Sequence, residues 1–479
     1  MTKKIHVSWL LAWASIGLMA GAALSLLTDN YFLSFSWLVI GTSLVFASLV
    51  NRTTLAIIAI IAGGLLIGLW RGTQNYPSEN TYGQFINHQV ELSGTVSEDV
   101  TLGKDGQQQI RLKDIVLEGR PLAGRVWVST DAKLDIKRSD QLHIRGQLGE
   151  GFGNFSAVVY RTQITEVKRV KYGDPALEAR DWFSSSIRQI VNEPQASLGI
   201  GFLTGQHSTL PENLTNNLRI LGLTHIIVAS GYNLTILVRL ARRLFEKISK
   251  YLATLVSGLL VASFILVTGS SPSMTRAGLI TGLSLAAWYY GRKIHPLVLL
   301  PFAAGITVLI DPSYLWGDLG WYLSFAAFAG VIILSPLLLD YFWGKNQPDG
   351  LLRIVVETFS AQALTAPIIA FSFGQYATLA LIANVLILPL IPFAMIFTFI
   401  AGVFGAMFGP AAELLGYPAQ ILLSYMTFVA DKLAGLPIAQ SNVALSLPYL
   451  VAAYILITMF CIWLWRRTKH DFTKDSIVE

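Results

Sequence analysis

The sequence predicts a polytopic α-helical membrane protein of about twelve transmembrane helices, several of them broken. A single small all-β domain is inserted outside the bilayer. Three observations predict this. The 479 residues are 53% hydrophobic and only 13% charged, where soluble domains carry roughly 25% charge, and mean hydropathy is +0.54. Apolar runs repeatedly approach the ~20 residues that cross a bilayer as a helix. Between about 84 and 170 that texture gives way to short alternating runs divided by Gly and Asp.

Residues 1–72 hold the N-terminal transmembrane helices, near 8–27, 31–50 and 54–70. Lys3 and Lys4 ahead of an apolar stretch also fit a signal peptide. The run is long, however, and two further apolar segments follow at once, so a retained helix is expected. Residues 80–172 form the β-domain. "HQVELSGTVSEDV", "QQQIRLKDIVL", "GRVWVST", "DQLHIRGQL" and "AVVYRTQITEV" are five strand-like runs. That count fits a small OB-like barrel lying in water, on the extracytoplasmic side.

Residues 173–195 follow as an amphipathic helix. Asp174 and Pro175 supply a cap and a first-turn proline. Phe183, Ile187, Ile190 and Val191 then share one face beside Trp182. The expected position is the membrane interface; packing against the barrel is the alternative. Residues 196–466 are polytopic, with spans near 218–240, 252–269, 274–290, 296–310, 319–342, 354–373, 377–400, 414–431 and 443–465, and 467–479 form a tail.

Charge orients this chain. Lys3, Lys4, Arg466, Arg467 and Lys469 put both termini in the cytoplasm. Arg239, Arg242, Arg243, Lys247 and Lys250 follow the fourth span, Arg292 and Lys293 the sixth, and Lys345 and Arg353 the eighth. All fall on the cytoplasmic side if the β-domain is outside. The net charge of +6 therefore reads first as ordinary cytoplasmic loops, not as a nucleic-acid surface.

Four polar interruptions stand out, because an unsatisfied polar group in hydrocarbon costs several kcal/mol. "GLTHIIVASGYNL" (222–234) carries His225, Ser230, Gly231 and Asn233. "TGSSPSMTRAG" carries Pro272, Ser273 and Arg276; a charge at helix centre costs ~2.5–3.5 kcal/mol on insertion scales and usually faces an interior or a watery path. "DPSYLWGDLGWYLSFAAFAG" carries Asp318, Gly320 and Ser324, with Asp318 available as a partner for Arg276. The fourth, "SAQALTAPIIAFSFGQYATLALIANVLILPLIP", carries Gln362, Thr365, Gly374 and Asn384. Taken singly, such groups often just bond a neighbouring helix. Four in separate spans point to a shared hydrated or reconfigurable path.

Catalysis has less support. His225 and Ser230 invite a Ser/His hydrolase, but on a continuous helix five residues turn the two side chains ~140° apart, and no G-x-S-x-G elbow is present. The histidines (His6, His88, His143, His207, His225, His295 and His470) form no metal motif. Cys461 is the single cysteine, so disulfides and Cys-based metal sites are excluded. No P-loop is present. The expectation is no catalytic residue, no metal and no cofactor.

The four segments, in this order, resemble those of the ComEC competence-protein family, the inner-membrane DNA channel of natural transformation. "GLTHIIVASGYNL" is similar to its small-His-apolar-Ser-Gly segment and "GSSPSMTRAG" to its Pro-Ser-x-x-Arg-Ala segment. "DLGWYLSFAAFAG" is similar to Asp-x-Gly-aromatic-x-Leu-Ser-Phe, and "AQALTAPIIAFSFGQYATLALIAN" to the region that follows. "GFLTGQHSTLPENL" looks like the family's lead-in. The N-terminal helices with their OB-like insertion match its first domain. In "SGYN", Asn233 stands where a second histidine is common. Many relatives end in a metallo-β-lactamase-like nuclease domain; here the chain stops soon after "WLWRRTKH", so that activity is not carried over.

The resemblance implies a competence-type channel domain over 196–466 that conducts single-stranded DNA into the cytoplasm. It also implies separate partners: a DNA receptor, a cytoplasmic ATPase and a nuclease, with a homo-oligomer as an option. The β-domain would receive the strand. Between 84 and 170 there are twelve Lys/Arg and eleven Asp/Glu, so only a local patch of Lys133, Lys137, Arg138 and Arg145 is expected to touch DNA. Within the bundle Arg276 is expected to meet phosphate or to form a shaping ion pair. His225, Ser230 and Asn233 would line or hinge the path, and Gln362 and Thr365 would offer uncharged hydrogen bonds. The rival reading is a small-molecule transporter or exporter, which explains broken helices equally well but needs no receiving barrel.

Overall fold

The computed structural model describes residues 5–25, 35–75, 82–102, 107–132, 134–153, 155–169, 174–206, 210–227, 231–269, 272–292, 295–344, 346–348 and 350–472. The chain opens with α1 (Val7–Leu24), α2 (Phe35–Asn51) and α3 (Thr54–Asn75). Seven strands follow: β1 (Gln89–Val96), β2 (Thr101–Leu102), β3 (Gln108–Leu117), β4 (Arg120–Leu122), β5 (Val126–Thr130), β6 (Gln141–Glu150) and β7 (Ala157–Lys168). Then come α4 (Pro175–Arg188), α5 (Gln195–Thr204), α6 (Glu212–Ile220), α7 (Thr224–Ile227), α8 (Gly231–Phe245), α9 (Lys250–Thr268), α10 (Pro272–Tyr289) and α11 (Pro296–Ile310). The remainder comprises α12 (Leu319–Ala329), α13 (Ser335–Trp343), α14 (Leu351–Phe373), β8 (Gln375–Ala377), α15 (Ala380–Ile387), α16 (Ile391–Phe408), α17 (Glu413–Ala434), β9 (Gln440–Asn442) and α18 (Leu447–Thr468).

Two compact units result: Met1–Leu177 with Ser270–Pro272 and Val298–Trp321, and Glu178–Gly269 with Ser273–Leu297 and Tyr322–Glu479. In the first, α1 and α3 meet at backbone distance. Gly17 and Gly21 of α1 and Gly64 and Gly68 of α3 each sit four residues apart on their helix, and a Cβ on any of them would lie 2.0–2.3 Å from a carbonyl oxygen of the facing helix. Small residues at this spacing are how membrane helices associate without a hydrophobic driving force. The carbonyls of Leu309 and Ile310, at the end of α11, accept hydrogen bonds from Arg71 at 2.8 and 2.7 Å.

The strands close on themselves. β1 pairs antiparallel with β3 and with β6, β3 with β5, and β6 with β7, while β5 and β7 pair in parallel and complete the circuit. Alternation builds the core: in β1 every second residue is buried, and Leu92, Ile110, Val128, Leu142, Ile144 and Val159 fill the interior. Closure removes the exposed edges that an open sheet would leave. Tyr82 plugs one side, donating to the Ala123 carbonyl at 3.2 Å, and burial pushes its hydroxyl up to about 12. Arg138, 7% exposed, donates through Nε to Asp174 at 2.8 Å and forms an ion pair with it at 2.7 Å.

In the second unit the apolar face of α4 packs against helices. Without a side chain, Gly402 of α16 leaves room for the Phe183 ring, and Gly416 of α17 does the same for Ile190. Trp182 stays 61% exposed. The largest core joins Leu198, Phe202, Leu223, Ile387, Met395 and Met426 from α5, the α6–α7 turn and α15–α17.

Among the described residues seven helices are long and apolar enough to cross a membrane: Val7–Leu24, Thr54–Gln74, Lys250–Thr268, Leu319–Trp343, Leu351–Phe373, Ala380–Ala434 and Leu447–Thr468. Phe35–Asn51 and Pro296–Ile310 are shorter apolar helices. The twelve expected spans are thus not all recovered by length and composition. The span expected over 218–240 is not one helix: Gly222, at φ +67°, ends α6. There the Leu223 amide bonds back to the Leu218 carbonyl at 2.8 Å, the six-to-one bond of a Schellman stop.

Two substitutions test these contacts. Gly68→Ala brings a methyl against the Leu18 carbonyl and is expected to cost about 1–3 kcal/mol or more; Gly258→Ala, which meets nothing within 4 Å, is expected to be neutral. Thermal unfolding of the detergent-solubilised protein reads the difference. Arg138→Ala strands the Asp174 carboxylate and is expected to loosen the β-domain by about 3 kcal/mol, read as faster proteolysis between β5 and β6.

Candidate functional site

Three of the four polar segments meet around Arg276. This residue lies in the second turn of α10, 1% exposed, and is among the largest fully buried side chains of the protein. Its guanidinium stands 5.2 Å from the ring centroid of Phe325 in α12, a cation over an aromatic face that partly replaces lost hydration. The next residue, Ala277, touches the start of α8: a Cβ on Gly231 would lie 3.1 Å from the Ala277 Cβ. The helix break, the arginine segment and the Leu-Ser-Phe segment therefore share one level of the second unit. Ser324, beside Phe325, is half-buried.

Asn233 holds the break together. It is fully buried, and its Nδ2 donates to the Phe202 carbonyl at 3.2 Å and the Ile226 carbonyl at 3.3 Å. One amide thereby ties the ends of α5 and α7 to the first turn of α8, supplying the freed carbonyls of two helix ends. His225 is exposed on α7, and its Nδ1 donates to the Gly222 carbonyl at 2.9 Å. That bond fixes the ring locally. Ser230 lies outside the described residues. Pro272 opens α10 and Ser273 follows it; their side chains also lie outside the description.

The fourth segment approaches from α14 and α15. A Cβ on Gly222 would stand 3.1 Å from the Ala377 Cβ and 3.4 Å from the Ala380 Cβ, which brings the α6–α7 turn onto the start of α15. Asn384, 1% exposed, donates from Nδ2 to the Ala380 carbonyl at 2.8 Å. Among the described residues its Oδ1 has no hydrogen-bond partner, nor has the buried Nε2 of Gln362. Buried polar atoms are almost always bonded, so each of these two is an exception that the helix packing alone does not account for. Thr365 instead returns its hydroxyl to the Ala361 carbonyl at 3.0 Å.

Other expected residues have structural duties. Asp318 belongs to the first unit, where its Oδ1 accepts the Trp321 amide at 2.7 Å and caps α12. Gly320 leaves that carboxylate room, since a Cβ there would sit 3.2 Å from Asp318 Oδ1. Gly374, left-handed at φ +63°, ends α14 with its amide on the Ala370 carbonyl.

The expected cationic patch on the barrel is corrected. Arg138 is buried in its ion pair with Asp174, Lys137 is half-buried, and Lys133 lies outside the described residues. Of the three described, Arg145 alone is exposed. Among the described residues no group of three His, Cys, Asp or Glu stands close enough to hold a metal ion.

Sequence reasoning missed three contributors. Phe325 closes the Leu-Ser-Phe segment, but only the fold sets it against Arg276. Gly330–Leu334 forms a π-helical turn between α12 and α13; Pro336, without an N–H, follows it, and π-turns often accompany functional sites. A Cβ on Gly330 would lie 2.4 Å from the Ser360 carbonyl, so α14 is pressed against that turn. Finally, Pro367 interrupts α14, and the Tyr454 hydroxyl from α18 donates to the adjacent Leu364 carbonyl at 2.7 Å.

The Competence protein family model matches residues 202–468, more than half of the chain. Among curated proteins, ComE operon protein 3 of Bacillus subtilis (strain 168) is 24% identical over 185 residues, which make up 38% of this chain and 23% of that protein. The match thus spans about a quarter of that relative's length. No solved structure matches. All four polar segments fall inside the matched stretch, and the chain belongs to the competence-protein (ComEC) family.

Proposed function

We propose that this membrane protein conducts single-stranded DNA into the cytoplasm during natural transformation. Membership of the competence family supports a role in DNA uptake. The observation that carries the finer reading is the meeting of three polar segments at a buried arginine. A bundle that served only as scaffold would gain from an apolar residue at that depth. Arg276 would contact phosphate, Gln362 and Asn384 would offer their unpartnered atoms to the passing strand, and Gly231 and Asn233 would form the hinge beside it. Ser324 would line the same level.

The remaining features fit that reading. Twelve crossings, both termini cytoplasmic and the β-domain outside would satisfy the distribution of Lys and Arg, and the membrane concerned would be the plasma (inner) membrane. The strand circuit with its one parallel pair supports an OB-like barrel. In such barrels the face of the second and third strands, with nearby loops, binds oligonucleotides. In the circuit β3 and β5 take the places of those two strands, and β5 carries Trp127, which packs against Phe152 and Phe155 at 5.4 and 5.1 Å and lies under Arg111 at 5.2 Å. Phe152 is 52% exposed, offering a surface on which a base can stack. A DNA receptor, a cytoplasmic ATPase and a nuclease would be separate proteins, and assembly as a homo-oligomer is compatible with the exposed apolar helices.

Uptake of labelled DNA tests the proposal. Cells lacking the protein are expected to bind DNA at the surface without internalising it. Arg276→Ala, at an undiminished membrane level, is expected to reduce internalisation at least tenfold, with Arg276→Lys intermediate because it keeps the charge but not the planar fork. Normal uptake in the deletion would instead favour a small-molecule transporter.

A further inference from the structure

The far ends of α8 and α10 carry a second concentration of chemistry. Arg239, Arg242, Arg243, Lys247 and Lys250 fall within twelve residues that contain one acid, Glu246, and Arg292 follows α10. All six cations except Arg242 are exposed. Aromatic rings are set among them. The Arg242 guanidinium lies over the Trp288 ring at 5.3 Å and the Lys250 ammonium over the same ring at 5.4 Å. Lys250 also reaches Tyr289 at 6.0 Å, and Tyr289 meets Tyr290 edge-on at 5.2 Å. Tyr290 is 74% exposed. Two like charges on one indole repel each other, and an anion brought between them relieves that repulsion.

The placement of this cluster follows from the helices that bear it. Gly231 abuts Ala277, and Arg242 lies over Trp288. The second contact is eleven residues beyond the first on both helices, so α8 and α10 run side by side in the same direction. Eleven residues of helix rise about 16 Å. The cluster therefore stands about 16 Å along the two helices from the level of Arg276 and the α7–α8 break.

Cations that track a backbone and aromatics on which bases stack are the general means of holding a single strand. We infer that the paired ends of α8 and α10 form the receiving platform for single-stranded DNA leaving the path. The cations take the phosphodiesters, and Trp288 and Tyr290 take the bases. This rests on the conduction reading and locates its exit. Exposed Leu244 and Ile248 lie in the same turns, at 61% and 71%, so anionic lipid headgroups are the competing occupant. The aromatics gathered on the two helices that carry Gly231, Asn233 and Arg276 favour the strand.

The test uses full-length protein in nanodiscs of zwitterionic lipid and a fluorescent thymidine oligonucleotide, beside an abasic strand of equal charge. Trp288→Ala and Tyr290→Ala are expected to weaken oligonucleotide binding about tenfold each and to leave abasic-strand binding nearly unchanged. Lys247→Ala with Arg292→Ala, both exposed and tolerant of truncation, should lower the slope of log affinity against log salt by about 0.7 for each cation removed; Arg466→Ala should not. Binding that ignores all four substitutions overturns the platform. So does loss only of an anionic-lipid thermal shift, which would make the cluster a membrane anchor. Uptake assays on the same variants separate the two readings: if uptake requires the protein but not these residues, the platform fails and conduction stands.

Discussion

A guanidinium closed off inside a helical bundle constrains everything around it. Arg276 is 1% exposed, and placing such a charge at membrane depth costs several kcal/mol unless its surroundings replace water. The surroundings here include the Phe325 face, the small residues Gly231 and Ala277 that allow α8 and α10 to touch, and the amide of Asn233 that closes the break one turn away. Enlarging any of these would push the helices apart around a charge with nowhere to go. The broken helix is thus tied to the buried cation: the break lets the backbone approach, and the approach encloses the arginine.

The two units solve the membrane problem differently. In the first, helices with little polar content associate by backbone contact through Gly17, Gly21, Gly64 and Gly68, and the barrel removes its own edges by closure. In the second, helices are interrupted by Gly222, Pro367 and the π-turn at Gly330–Leu334, and side chains such as Asn233 and Tyr454 donate to backbone carbonyls near those interruptions. The second leaves buried side-chain polar atoms such as Gln362 Nε2 and Asn384 Oδ1 without a hydrogen-bond partner among the described residues.

Much of this was legible in the sequence because it rests on local patterns. Alternation marked the barrel strands, and Asp174-Pro175 marked the start of α4. The polar interruptions were visible as departures from apolar runs. What escaped depended on distance in space or on the exact turn geometry. Asp318 stood out as an acid near a buried cation, whereas its cap on the helix three residues on depends on where the Leu319–Ala329 helix begins. Arg138 looked like a free surface cation until the fold brought Asp174 from 36 residues away. That Gly374 ends a helix depends on its left-handed backbone, which a glycine in an apolar run does not announce. Phe325 stood in the Leu-Ser-Phe segment without its partner being legible, and Trp288 gave no signal, since an aromatic in an apolar run reads as core until a cation is set over it.

The account stands or falls on whether water and DNA reach the level of Arg276. Ser324, half-buried beside Phe325, is the place to ask. A single cysteine there, in a Cys461→Ala background, would be exposed to a membrane-impermeant thiol reagent in cells with and without DNA arrested in transit. The account predicts labelling in resting cells and protection when DNA is held in the path. A cysteine that stays unlabelled in cells still competent for uptake would contradict it.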